Sequence, residues 1–257
     1  MSDSFDPECR SPFASIDDST YQTLAFILPL IVMLVIGSFF YPDFSNSIGS
    51  TGAASPEAKK YLVIVGVQIA IAFGLLTWFY RIHLRHFPLK FSWLSVVVGV
   101  VGIVVWVALV EIQREKKLMT MIGLGSWFPN RPSFNPFAEF SDNQFRMLFL
   151  GLRFTLLAAV TPIVEELFLR GWLVRWIEDP EWQPIRLTEL GFKGLATASV
   201  YGVLTHPGEA LAAIAWFGLV TWLMHRTGNL WDCVIAHAVT NLLLGIYVIT
   251  ASAWHLW

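Results

Sequence analysis

Charge is what this 257-residue chain has least of: Asp, Glu, Lys and Arg together make up 14% of it, against about 25% in soluble domains. So few charges cannot cover a soluble surface. With 55% hydrophobic residues, the composition is that of a polytopic membrane protein. A formal net charge of -2 leaves no basic excess and argues against a nucleic-acid partner. Only two cysteines occur, Cys9 in a polar stretch and Cys233 in an apolar one, so no disulfide is expected. The first 20 residues hold a single basic residue, Arg10, and lack the positive region of a signal peptide. No cleaved segment is expected.

Tryptophan, by contrast, is abundant. Trp93, Trp127, Trp172, Trp231 and Trp257 lie near the ends of apolar runs, as interfacial belts require. The expected fold is all-α: a transmembrane bundle of seven spans, eight if one long helix divides, with a polar cavity in its C-terminal half. Residues 1–20 read as a polar tail and 21–257 as one transmembrane domain, with three N-terminal spans in 21–117 and a C-terminal core in 145–251. The apolar runs are 21–40, 61–80, 93–110, 145–177, 194–205, 210–224 and 230–251, several of them near the 20 residues that cross a 30 Å core. Residues 41–60 read as a loop. Gln68 is expected to bond between helices, and Gly99 and Gly102 to permit close helix approach. His83 and His86 read as solvated loop residues. Among the aromatics of 118–143 (Trp127, Phe128, Phe134, Phe137, Phe140), headgroup contact is expected, with a substrate lid as the other reading.

The segment Thr161-Pro162-Ile163-Val164-Glu165-Glu166-Leu167-Phe168-Leu169-Arg170-Gly171 breaks the scarcity of charge. An ionisable group at the centre of a membrane helix costs roughly 2.5–3.5 kcal/mol on insertion scales, so three in six residues ask for a function. On a helix Glu166 and Arg170 are an i, i+4 pair, while Glu165 points about 100° away. Arg170 then holds Glu166 and leaves Glu165 for chemistry. Pro162 is expected to kink the helix just before the two glutamates.

The C-terminal half also carries His206, His237 and Asn241, the last two a turn apart on one helix face. A carboxylate, two imidazoles and an amide in one cavity suit peptide-bond hydrolysis. Glu165 would take a proton from water as general base, a histidine would position that water, and Asn241 with the remaining histidine would stabilise the oxyanion. No serine or cysteine nucleophile is apparent, since G-x-S-x-G is absent. Zinc is the alternative, held by Glu165, His206 and His237; H-E-x-x-H is absent, so a metal-independent mechanism without cofactor is favoured.

Glu165-Glu166-x-x-x-Arg170-Gly171, then His206, then Arg226-Thr227-Gly228-Asn229-Leu230-Trp231 leading to His237-x-x-x-Asn241 resemble the successive motifs of the CAAX protease and bacteriocin-processing (CPBP, or Abi) intramembrane proteases. The resemblance covers about 148–245. It implies Glu165 as the water-activating base assisted by His206, His237 and Asn241 as the oxyanion site, and Glu166 with Arg170 as support. It also implies a membrane-anchored or lipidated substrate, since prenyl-CAAX members remove a C-terminal tripeptide after a lipidated cysteine. Where the family usually has Phe four residues before the second-motif His, this chain has Gly202, with Tyr201 beside it. Residues 226–241 also resemble the CAAX-protease-related proteins of exosortase sorting systems.

The expectation is an integral multi-pass protease of the cell (inner) membrane. A non-catalytic immunity or sorting partner and a small transporter with a Glu/His proton relay are the competing readings.

Overall fold

The computed structural model describes residues 18–40, 56–111, 121, 123 and 134–256. The expected polar tail (but for its last three residues), most of the 41–60 loop, Trp127, Phe128 and Trp257 lie outside them. Among the described residues every regular element is helical. Seven main helices follow in order: α1 (Asp18–Phe40), α2 (Pro56–His86), α3 (Trp93–Glu111), α4 (Asn143–Glu178), α5 (Phe192–Thr205), α6 (Ala210–Thr227) and α7 (Leu230–Ala251). Six candidate spans are long and apolar enough to cross a membrane: α1, α2, α3, α4, α7, and α6 with the short turn before it. The protein is thus an integral multi-pass membrane protein. The seventh expected segment, α5, is helical but has 14 residues, about 21 Å at 1.5 Å per residue, short of the hydrocarbon core.

The long helix does not divide into an eighth span. α4 runs for 36 residues, well beyond what a 30 Å core needs. It begins at Asp142, whose carboxylate accepts from the amides of Gln144 and Phe145 at 2.7 and 3.2 Å, a side-chain N-cap. Instead of breaking at Pro162, it widens into π turns at Leu156–Val160 and Leu169–Leu173. These bracket Thr161–Phe168, the α-helical stretch with both glutamates. Single π turns inside α-helices are frequent at functional sites.

α7 sits against α3 through glycine. A Cβ on Gly99 would lie 2.7 Å from the Ala236 carbonyl oxygen and from Val239 Cβ, and one on Gly102 would lie 2.9 Å from Thr240 Oγ1. Only hydrogen fits there, so α3 brings its backbone close enough for Thr240 to donate to the Gly99 carbonyl at 2.9 Å. Gln68 bridges α2 to α1 through the Met33 carbonyl at 2.9 Å.

Two expectations change. His83 and His86 are not solvated loop residues, because α2 continues past Tyr80 to His86 and turns them onto α1. His83 is buried and its Nε2 donates to the Ala25 carbonyl at 2.9 Å; His86 Nε2 meets Gln22 Oε1 at 3.0 Å and packs on Trp182. Phe140 is neither belt nor lid, since it is fully buried with its ring against Phe149; the half-buried Phe134 packs on Phe149 as well.

The α6–α7 turn shows why Arg226-Thr227-Gly228-Asn229-Leu230-Trp231 reads as a motif. Gly228 ends α6 at φ +61°, a left-handed conformation that glycine adopts without penalty. Asn229 then caps α7 through the Trp231 amide at 3.2 Å. Asn229 Nδ2, Trp231 Nε1 and Asp232 Oδ1 tie the turn to Lys90 O (3.1 Å), Phe87 O (2.7 Å) and the Ser92 amide (2.8 Å). The turn thereby fixes the start of α7, and with it the height of His237.

Candidate active site

Glu166, in the α-helical stretch of α4, and Arg170, in the π turn that follows it, lie about one turn apart and form an ion pair, both essentially excluded from solvent. Arg170 Nη2 also reaches the Phe217 carbonyl at 3.3 Å, and the guanidinium lies over the Phe217 ring at 5.8 Å. Glu165, rotated off that face, keeps 20% of its side chain exposed. One carboxylate is thus locked and its neighbour is partly exposed.

His237 stands between the two. Its Nδ1 lies 3.1 Å from Glu166 Oε1 and its Nε2 lies 3.9 Å from Glu165 Oε2. A carboxylate paired with arginine only accepts hydrogen bonds, so this geometry assigns the proton to Nδ1. Nε2 then faces Glu165 across a gap too long for a direct hydrogen bond and suited to a shared water. The ring orientation is set from the other side as well. Trp216 meets the imidazole edge-on at 4.7 Å between centroids, and Trp216 is itself anchored by Nε1–H donating to Thr240 Oγ1 at 3.1 Å.

Asn241, one turn further along α7, donates from Nδ2 to the Leu157 carbonyl at 2.9 Å. The reason lies in the first π turn, where the Thr161 amide bonds back to Leu156. In that five-residue register the Leu157 carbonyl would be served by residue 162, and Pro162 has no N–H. Asn241 supplies the missing donor and has a second amide hydrogen in reserve. It therefore braces the backbone just ahead of the glutamates, a bond that residue spacing alone does not reveal.

His206 caps the C-terminal end of α5, with its Nδ1 2.9 Å from Thr205 Oγ1. Its ring packs edge-on against Trp106 at 5.2 Å and beside Phe217 at 6.1 Å. Phe217 thus joins His206 to Arg170. It also accounts for Gly202: a Cβ there would run into the Phe217 ring. The aromatic missing from position 202 is supplied from α6 instead, with Tyr201 packed at its edge. Gly202→Ala should therefore cost about 1–3 kcal/mol of stability by overpacking, and Phe217→Leu in the same chain should return part of it. Detergent melts of the single and double variants check this; a Gly202→Ala protein as stable as wild type would remove the fit.

Trp216, Phe217, Thr221 and Thr240 were not among the expected site residues. Thr221 and Thr240, polar in apolar runs, were the available signal. Among the described residues no three His, Cys, Asp or Glu side chains are grouped to hold a metal ion, Glu165, His206 and His237 included.

Residues 147–243 match a family model described as "Type II CAAX prenyl endopeptidase Rce1-like". The matched segment contains every residue of the cluster on α4, α5, α6 and α7, and its similarity to that model agrees with the resemblance the motifs carry. No curated protein and no solved structure matches the chain.

Proposed function

We propose that, with this family match as premise, the chain is an intramembrane endopeptidase that cuts a membrane-anchored, lipidated substrate with water activated by Glu165. The observation that carries the reading is the His237 imidazole set between a locked carboxylate and an open one. Water held between Glu165 and His237 Nε2 loses a proton to Glu165 as its oxygen attacks the substrate carbonyl. The oxyanion is then stabilised by the second amide hydrogen of Asn241, while His237 Nε2 accepts a hydrogen bond from the remaining O–H of the attacking water. When the C–N bond breaks, the proton on Glu165 passes to the leaving amine, so the balance is one water consumed and an acid and an amine released. Glu166 and Arg170 keep His237 in the tautomer this requires. His206, at the end of α5, is linked to this site through Phe217, which packs against both His206 and the Arg170 guanidinium.

The test is a farnesylated peptide ending in a CAAX sequence, incubated with the full chain in lipid vesicles and analysed by mass spectrometry. A released tripeptide is the expected product. An immunity or sorting partner, or a transporter, would leave the peptide whole under every condition. Activity should survive exhaustive chelation with a phenanthroline-type reagent. Loss of cleavage that zinc alone restores would overturn the metal-independent mechanism and leave the peptidase reading standing.

A further inference from the structure

Beyond the last turn of α2, residues 183–188 and the α6–α7 turn enclose a cavity of about 320 Å³. Its polar lining comes from Arg85, His86, Arg175, Arg186, Gln183 and Thr188, with no Asp or Glu. Arg175 lies nine residues beyond Glu166 on α4, more than two helical turns away, so the cavity is separate from the glutamate cluster.

Arg175 carries the argument. It is 3% exposed and donates to three carbonyls, Gly171 at 2.8 Å, Gln183 at 2.7 Å and Ile185 at 2.9 Å. Its guanidinium also stacks on Trp182 at 4.8 Å and Phe87 at 5.3 Å. These contacts orient the group without neutralising it, because a carbonyl is a dipole and not a counter-ion. Three of its five N–H groups are used. The ion pairs among the described residues include none to Arg175 or Arg85. Arg186 faces Glu189 at 3.8 Å with both side chains mostly exposed, a pairing that water weakens. Buried charges are normally paired, and here several cationic residues share a cavity with no anion of their own.

We propose that this cavity binds a phosphate-bearing anion, supplied at a membrane surface by the phosphodiester headgroup of an anionic lipid. The guanidinium fork matches phosphate oxygens two at a time. The cavity lies where α2, α4 and α6 end, the level at which basic pockets between membrane helices receive headgroups. Gln183 and Thr188 add neutral donors and acceptors for a headgroup's hydroxyl and ester oxygens.

The experiment is thermal melting of the full chain in an uncharged maltoside detergent, titrated separately with phosphatidylglycerol, phosphatidylcholine and inorganic phosphate. A ligand that binds the folded state raises the melting temperature with its concentration, which yields an apparent dissociation constant. Arg85 and Arg186 line the cavity from its exposed side, so Arg85→Gln/Arg186→Gln should fold normally. It should bind phosphatidylglycerol about thirtyfold more weakly, since each basic residue contributes about 1 kcal/mol at such a surface. Arg81→Gln/Arg226→Gln, which removes two exposed charges outside the cavity, should shift it far less, and phosphatidylcholine should give no shift. Inorganic phosphate producing the same shift, lost in the cavity variant alone, would support the site with a soluble phosphate as its source. Equal weakening in both double variants, or no shift with either anion, would overturn the proposal.

Discussion

Glu165→Gln should abolish cleavage while leaving expression, melting temperature and substrate binding near wild type. The amide keeps the side chain's volume and much of its hydrogen bonding but cannot accept the proton of water, and losing a positioned general base costs about 10²–10⁴ in rate. The structure makes the substitution a clean one. Among the described residues Glu165 has no ion pair to arginine, lies 3.9 Å from His237 and is partly exposed, so removing its charge strands none of them. Comparing wild type and Glu165→Gln on the farnesylated peptide by mass spectrometry gives the answer. Identical product yields would rule Glu165 out as the base. A proton-relaying transporter would also fail with Gln, but its wild type would yield no peptide fragment; an immunity or sorting partner would be indifferent to the change.

Glu166→Ala and Arg170→Ala should each do the opposite, damaging the fold before the chemistry. Both side chains are excluded from solvent, and breaking a buried pair by removing one partner costs about 3–5 kcal/mol because the other charge stays buried and unpaired. Arg170 without Glu166 would keep only the Phe217 carbonyl at 3.3 Å and Thr221 Oγ1 at 3.5 Å, and its Nε already lacks a partner. Glu166 without Arg170 would keep only His237. Melts in detergent should rank both variants well below Glu165→Ala. Glu166→Leu/Arg170→Met, which removes both charges at similar volume, should recover much of the loss. Equal stability of Glu165→Ala, Glu166→Ala and Arg170→Ala would defeat the division of labour between the two glutamates.

The Glu166–Arg170 pair was legible in the sequence, because hydrocarbon makes each charge expensive and helix geometry alone puts Glu166 beside Arg170. The same economy made most of the spanning helices legible by length, and Gly99, Gly102 and Gln68 readable as packing positions. Charge density misled elsewhere. Arg81 to His86 look like the start of a loop only if basic residues are assumed to be in water; as the end of α2 they bury His83 against Ala25, since a helix that meets a neighbour can satisfy a polar tip while hiding its body.

What the sequence by itself determined was the cast: an all-helical membrane chain, with two glutamates and an arginine on one helix and two histidines and an asparagine awaiting them. Only the tertiary structure decided how the cast divides. His237 bridges Glu165 and Glu166 across 71 residues of chain, Asn241 serves a carbonyl orphaned by Pro162 across 84, and Phe217 fills the space left at Gly202 from another helix. Each depends on the distance between two helices, and the placement of one of them, α7, rests on its close contact with α3 and the capped turn at Gly228. Local rules of period and spacing describe one helix at a time; the angle and depth at which two of them meet come from the packing of all their side chains at once.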